Sequence, residues 1–318
     1  MRIRDKIKKP QRPVVAYEIL PPREKDGTLN AYAETISSLL SQTHIDAINI
    51  PEVHDEVGRG ERPVSNQERG EPRKFGMLLQ DIVGIEAIVN RVVVHMPLKK
   101  QMEWIHETYS KYEIDNLIIV GGESSKQKYP GPTVNESLEK ISQDNRRREN
   151  SILCGGICIP SRRKESKNLI RKSECGAEFF TTQVLCDSGN VIKMIKNYQE
   201  RCDKVNTFPR RILLSFAPVS SQKNIDFLKW LGVEIPKDTE KYLNGRPGSM
   251  TERSLDVAIE VLNEILAFIA NNNLKVPVGL NVEHIMSYNF QSSVEMLQEL
   301  ARIYREFCIK AQHYSKVL

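Results

Sequence analysis

No run of apolar residues in this sequence approaches the ~18 needed to cross a bilayer, which excludes a helical membrane span. The basic start, Met1 to Lys9, is followed by no apolar stretch of signal-peptide length. A cytosolic protein is therefore expected. Cysteine is scarce: six in 318 residues, at 154, 158, 175, 186, 202 and 308. The first four lie in or beside strand-like apolar runs, where buried, reduced thiols are the expectation. Cys154 and Cys158 share one face of a strand, but zinc sites show a tighter pair plus a second pair or histidines, so no metal is expected. Also missing is a G-x-G-x-x-G after a strand. Val120-Gly-Gly-Glu123 ends one but lacks the third glycine, so a nucleotide is not held in the Rossmann manner. The net charge is only +5. The clusters Arg146-Arg-Arg148, Arg162-Arg-Lys164 and Arg210-Arg211 have no aromatic interleaving, and nucleic acid is not an expected partner. They read as solvated loop and helix ends, or as attraction for an anionic small molecule such as a dinucleotide or a polyglutamylated cofactor.

What is present is length, apolar content and rhythm. A chain of 318 residues, 40% hydrophobic, can fill one large core. Strand-like runs recur at Val14–Leu20, Asp46–Pro51, Arg91–Met96, Asp115–Gly121, Ser151–Cys158, Ala177–Gln183, Arg211–Ala217 and Val276–Val282. Amphipathic stretches lie between them: Leu29–Gln42, Met77–Val89, Ser188–Arg201, Asn224–Leu231 and Thr251–Ala270. Eight strands alternating with helices predict one α/β domain over residues 1–318, a closed (β/α)8 TIM barrel. An open doubly wound sheet is the rival. Two long loops, 54–73 and 122–133, follow strands two and four on the face where barrel enzymes keep their chemistry. Residues Lys237–Met250 form an insertion between strands seven and eight.

Polar residues end several of these strands. Glu18 sits inside Val14-Val-Ala-Tyr-Glu-Ile-Leu20, just before Pro21-Pro22. A carboxylate in such a run costs several kcal/mol to desolvate unless it is paired or carries a proton. Burial raises its pKa, as a general acid working near neutral pH requires. The bland alternative is a structural glutamate satisfied by a lysine or arginine from a neighbouring strand. Glu52, His95, Glu123, Gln183 and Asn281 terminate five other strands at the same rim. Together they outline a pocket for a polar ring system with an acid among its contacts. His95 alone reads equally well as a supporting histidine.

These residues resemble the methylenetetrahydrofolate reductase family across nearly the whole chain. Tyr17-Glu-Ile-Leu-Pro-Pro22 is similar to its first-strand motif, which carries a catalytic glutamate. Ile118-Ile-Val-Gly-Gly-Glu123 resembles the fourth-strand motif, with Glu123 in place of the usual aspartate near the folate. Gly176-Ala-Glu-Phe-Phe-Thr-Thr-Gln183, with Asp187, resembles the sixth strand, whose glutamine binds the pterin. Pro218-Val-Ser220 resembles the loop after the seventh, and Val92-Val-Val-His95 the third more loosely. The resemblance implies reduction of 5,10-methylenetetrahydrofolate to 5-methyltetrahydrofolate by NAD(P)H, a step toward methionine biosynthesis. Glu18 would protonate the departing ring nitrogen, leaving an iminium carbon for hydride attack. Glu123 and Gln183 would orient the pterin, and a nearby carboxylate would stabilise the transient cation.

The departures from the family cluster where its members bind FAD. Pro51-Glu52 replaces a threonine-tyrosine pair, and Gly121 replaces an arginine. Ile157-Cys-Ile-Pro-Ser161 replaces a tyrosine-proline and histidine pattern. Gln222 stands where an aromatic that stacks on folate or nicotinamide is expected. Lys172 is the one flavin-side match. Either FAD is held by altered contacts, through Gly121, Gly122, His95 and Lys172, or the chain resembles the family's flavin-free relatives. In those, nicotinamide passes hydride directly to folate and a second glutamate stands near strand two, a place Glu52 fits. Two other functions compete: a pterin-dependent methyltransferase acting on a corrinoid partner, and a non-catalytic folate-binding subunit. The sequence leaves the oligomeric state and the pterin type open.

Overall fold

Strand β1 (Val15–Ile19) begins a closed barrel because its alternate residues face two different apolar environments. Val15, Tyr17 and Ile19 pack outward against helices, while Val14 and Ala16 turn inward. In the computed structural model, which describes residues 1–41, 43–54, 60–64, 68–122, 127–147, 151–284 and 289–314, the same alternation recurs around the sheet. The other strands are β2 (Ala47–Ile50), β3 (Ala87–Val92), β4 (Asn116–Val120), β5 (Leu153–Cys158), β6 (Phe179–Val184), β7 (Arg211–Phe216) and β8 (Val278–His284). Each pairs in parallel with the next, and β8 closes onto β1. The fold is the expected (β/α)8 barrel.

Helices cover the outside: α2 (Leu29–Leu40), α3 (Pro72–Val83), α4 (Leu98–Tyr112), α5 (Val134–Asn145), α6 (Glu165–Cys175), α7 (Gly189–Lys204), α8 (Gln222–Trp230), α9 (Lys237–Leu243), α10 (Met250–Asn271) and α11 (Phe290–Tyr314). Their starts are chemically marked. Thr133 with Glu136, and Ser249 with Glu252, form reciprocal capping boxes on α5 and α10. No helix among the described residues is long and apolar enough to cross a membrane. All six cysteines are unpaired, and five are buried. Burial pushes the Cys186 thiol up to about 12 and the Cys175 and Cys202 thiols to about 11.

Three elements lie elsewhere than the sequence predicts. The helix expected over Met77–Val89 runs instead from Pro72 to Val83, because Pro72 opens it and Gly84 takes a left-handed conformation (φ 70°) that stops it. This releases Ala87-Ile-Val89 to form β3, so the strand expected at Arg91–Met96 lies at Ala87–Val92. Strand eight runs two residues beyond the predicted Val282, to His284.

The interior is layered. Val14, Ala16, Ala47, Ile88, Ile118, Leu153, Phe179 and Leu213 form one apolar cluster enclosed by the strands. Gly155 makes room for the Phe179 ring, which an added Cβ would meet at 2.5 Å. Helix α1 (Ile3–Ile7) closes the N-terminal end by adding Ile3 and Ile7 to that cluster. With the bottom plugged and the middle dry, the C-terminal mouth is the open end.

Candidate active site

Two positions further along β1, β2, β3, β6 and β7 from the apolar layer, the inward residues change character. Ala16 is followed by Glu18, Ala47 by Asn49, and Ile88 by Asn90. Phe179 is followed by Thr181 and Leu213 by Ser215, while β8 contributes Asn281 and Glu283. The alternation of a strand therefore places a polar floor directly above a hydrophobic one. Asn49 donates its amide to Glu18 Oε2 at 2.6 Å. Asn281 donates to Ser215 Oγ at 3.0 Å and, more weakly, to Glu283 Oε1 at 3.4 Å. The Ser215 and Thr181 hydroxyls lie 3.2 Å apart. Glu18 and Glu283 are register partners on adjacent strands, so their side chains leave the sheet side by side. Burial pushes the Glu18 carboxyl well above the usual range, and the neighbouring Glu283 pushes it further. Burial likewise raises Glu283, to about 7, although hydrogen bonds from Ser215 and Asn281 oppose the shift.

Those shifts set a pH dependence for stability. Carboxyls whose folded pKa is raised bind protons more tightly when folded, so their contribution is complete below the unfolded value. It is lost as pH climbs through the folded value. For Glu283 the window runs from the ordinary 4.5 to about 7, corresponding to about 3 kcal/mol. Urea titrations across that window are expected to show stability falling with pH, and a flat profile would contradict the raised values.

Glu283 escaped the sequence reading because strand eight was ended one residue short of it. The i, i+2 step from Asn281 was the available signal. Asn281 itself lies inside β8 rather than at its end, underneath the carboxyl pair.

Other predicted residues take different places. Glu52 does not join Glu18. Its carboxylate accepts from Arg91 and from the backbone N–H of Val92 (2.8 Å), with His54 Nε2 at 3.3 Å. Burial alone would raise its pKa, but His54, Arg91 and the Val92 N–H together hold it below the usual range. Arg91 in turn stacks over Trp104, 4.2 Å from the ring centroid, and donates to Gln101. Glu52 is thus an ionised anchor between β2 and β3, not a proton donor. His95 ends a 3₁₀ turn (Val93–His95) after β3 rather than the strand itself. It is exposed, with its ring 4.8 Å from His54 and 5.7 Å from Tyr129. Gly121 is open except toward Val134, whereas the Tyr129 ring covers Gly122 so closely that a Cβ there would meet it at 2.3 Å.

Lys172 lies on the helix side of β5, near the outward-facing Gly156. Its ammonium donates to the Ile157 carbonyl at 2.5 Å and sits 3.5 Å from Glu165. Gln222 is exposed on α8, bonded to Asp226 and Asn244. A bulge in β6 between Thr181 and Val184 lifts Gln183 off the regular alternation, and its amide reaches the Leu231 carbonyl at 3.3 Å. It keeps a carbonyl oxygen and a second N–H for other partners. Glu123 lies outside the described residues.

Among the described residues, then, those assigned to a flavin do not converge. Lys172 is held outside the barrel, Gly122 is covered by the Tyr129 ring, and His95 stands exposed on the 3₁₀ turn after β3. This set does not fit a flavin site.

Over residues 158–301, which include strand β6, its bulge and the Asn281–Glu283 step, the sequence profile described as methylenetetrahydrofolate reductase matches the chain. Over that stretch the chain is similar to the methylenetetrahydrofolate reductases. No curated protein sequence matches it. Among solved structures, an uncharacterized protein from Clostridium thermocellum, which binds two copies of 5-methyl-5,6,7,8-tetrahydrofolic acid, superposes with a TM-score of 0.75. The match covers 95% of this chain and 99% of that one at 20% identity, a likeness of fold. The 2,3-dimethylmalate lyase of the PEP mutase/isocitrate lyase superfamily covers 98% and 97% at 11% identity, but its TM-score is 0.45, below what a shared fold requires.

Proposed function

We propose that this protein reduces 5,10-methylenetetrahydrofolate to 5-methyltetrahydrofolate, taking hydride directly from a reduced nicotinamide dinucleotide. The observation that carries the reading is Glu18, a buried carboxyl above the barrel's apolar layer, which accepts from Asn49 and whose pKa burial pushes well above the usual range. Opening the imidazolidine ring needs a proton at the departing N10, and Glu18 is built to supply it. Folate as the substrate class draws support from the family and from the Clostridium thermocellum barrel that binds 5-methyltetrahydrofolate. Asn49, Asn90 and Asn281 each hold a buried side-chain oxygen without a hydrogen-bond donor, and a pterin edge offers N–H groups of that kind. Glu123 and Gln183 complete the proposed orientation of the ring.

No step in this scheme runs through a flavin. The test joins an assay to a binding measurement. Purified protein is expected to oxidise NADH or NADPH only when methylenetetrahydrofolate is present, and to do so without added FAD. Its melting temperature is expected to stay constant in FAD. A rise equivalent to about 2.7 kcal/mol, which ligand at 100 times its dissociation constant produces, would restore a flavin scheme. Turnover with a corrinoid methyl acceptor but not with a nicotinamide would replace the reductase reading altogether.

A further inference from the structure

We propose that Glu18 and Glu283 act as one acid, a carboxyl pair sharing a single proton, in which Glu283 is the positioning residue that keeps the proton on Glu18. The catalytic half of this statement rests on the reductase reading. The shared proton does not.

Geometry forces the sharing. Glu18 and Glu283 are Cα partners on neighbouring parallel strands, and both fall on the inward side of the alternation. Neighbouring strands are about 4.8 Å apart, so the two carboxyls are held at the distance where like charges cannot both ionise in a buried site. Such a pair stays singly charged unless a cation offsets it. The groups facing it are neutral: Asn49 from β2, Ser215 from β7, and Asn281 from β8. Among the described residues, the Arg91 guanidinium is engaged elsewhere, on Glu52. A second observation points the same way. The Asn49 and Asn281 side chains present their N–H groups to this layer, yet their carbonyl oxygens are buried without a donor. A carboxylic O–H is one donor this layer can itself supply to them, beside the Ser215 and Thr181 hydroxyls.

The arrangement suits the reaction's charge balance. Before reaction the pair carries one negative charge and one proton. Glu18 gives that proton to N10 as the carbon–N10 bond breaks, with the bonding electrons remaining on nitrogen. The methylene carbon and N5 become an iminium cation beside a pair that now carries two negative charges, and each stabilises the other. Hydride from the dihydronicotinamide then adds to the carbon and neutralises it. The pair, left doubly charged, recovers one proton from solvent.

Glu283→Gln tests this. It removes the like charge and keeps the shape, so Glu18 is expected to release its proton more easily. The alkaline limb of the kcat profile should move toward acid by about one pH unit, a tenfold drop in the protonated fraction above it. The Michaelis constant for folate should move less than kcat. Infrared titration reads the proton itself. The protonated-carboxyl band of the native protein should shrink in Glu18→Gln to what Glu283 alone holds, and titrate at lower pH in Glu283→Gln. Glu283→Asp, which shortens the reach but keeps the charge, should give a smaller shift in the same direction and covers the case in which the glutamine variant does not fold. If the band and the pH limb stay where they are in both Glu283 variants, the shared proton is refuted. If the band behaves as stated but no methylenetetrahydrofolate turns over, the pair stands and the reductase reading falls.

Discussion

Glu18→Gln is expected to lower the maximal rate with methylenetetrahydrofolate by about 10²–10⁴-fold, the range that general acid catalysis typically contributes. Glutamine fills the same volume in β1 and can still accept the Asn49 N–H now bonded to Glu18 Oε2 at 2.6 Å. What it cannot do is release a proton to N10. Because the loss falls on the transition state rather than on the bound ground state, folate affinity should change far less than the rate. Steady-state kinetics at several folate concentrations separate the two. Retention of near-full turnover would make Glu18 structural. In that event Glu283 inherits the role, since Glu52, the sequence-based alternative, is fixed as a carboxylate by Arg91, His54 and the Val92 N–H. A variant that neutralises a buried acid should also be at least as stable as the native protein above neutral pH, so a stability loss cannot be mistaken for the catalytic effect.

The contrast between Glu18 and Glu52 shows what a single sequence discloses. Both are carboxylates at strand ends beside proline, and both read as members of one pocket. For Glu18 the apolar run on either side, Val14 to Leu20, already implied burial without a local cation. The fate of Glu52 depended on Arg91, 39 residues away, and on the path of β3. That path was hidden because a helix was extended through Ala87-Ile-Val89, where apolar spacing suits either element and only Gly84 marks the break. Glu283 was hidden for a related reason. The run Val278-Gly-Leu-Asn-Val282 gives way to charge at Glu283, and charge normally signals a loop. Inside a barrel the same step continues the strand, because the polar layer above the core calls for inward polar residues. Lys172 matched a family pattern in sequence, yet the matching residue lies on the helix side of β5. The barrel followed from periodicity, whereas the site required knowing which neighbour each charge meets.

Arg211→Met should destabilise the fold by about 4 kcal/mol, because two of the lost hydrogen bonds come from a charged donor and are worth roughly 1.5–3 kcal/mol each. Arg211 begins β7 and is 1% exposed. Its guanidinium donates to the Val278 carbonyl at 2.5 Å and the Lys9 carbonyl at 2.7 Å, with longer contacts to Lys6, Ile7 and Pro10. All of these carbonyls but that of Val278 lie in the last turn of α1 and in the segment that follows it. One charged side chain therefore ties the plug helix to β7 and β8. Methionine has a similar length and relieves the cost of burying a charge, which works against the loss. The loss should still win. The Val278 carbonyl keeps a donor in Tyr304 Oη at 2.7 Å and the Lys9 carbonyl keeps one in the Arg12 N–H at 3.0 Å, so the cost lies in the charge-assisted ties themselves rather than in stranded acceptors. Losing that tie also frees α1, which carries Ile3 and Ile7 out of the barrel's apolar cluster. Arg211→Lys should recover only part of the stability, because an ammonium lacks the planar fork that reaches two carbonyls at once. Denaturant titration gives the magnitude, and limited proteolysis near residues 9–13 reports whether the plug has detached. A methionine variant within about 0.5 kcal/mol of the native protein, the range of ordinary surface substitutions, would show that α1 is held by its isoleucines alone.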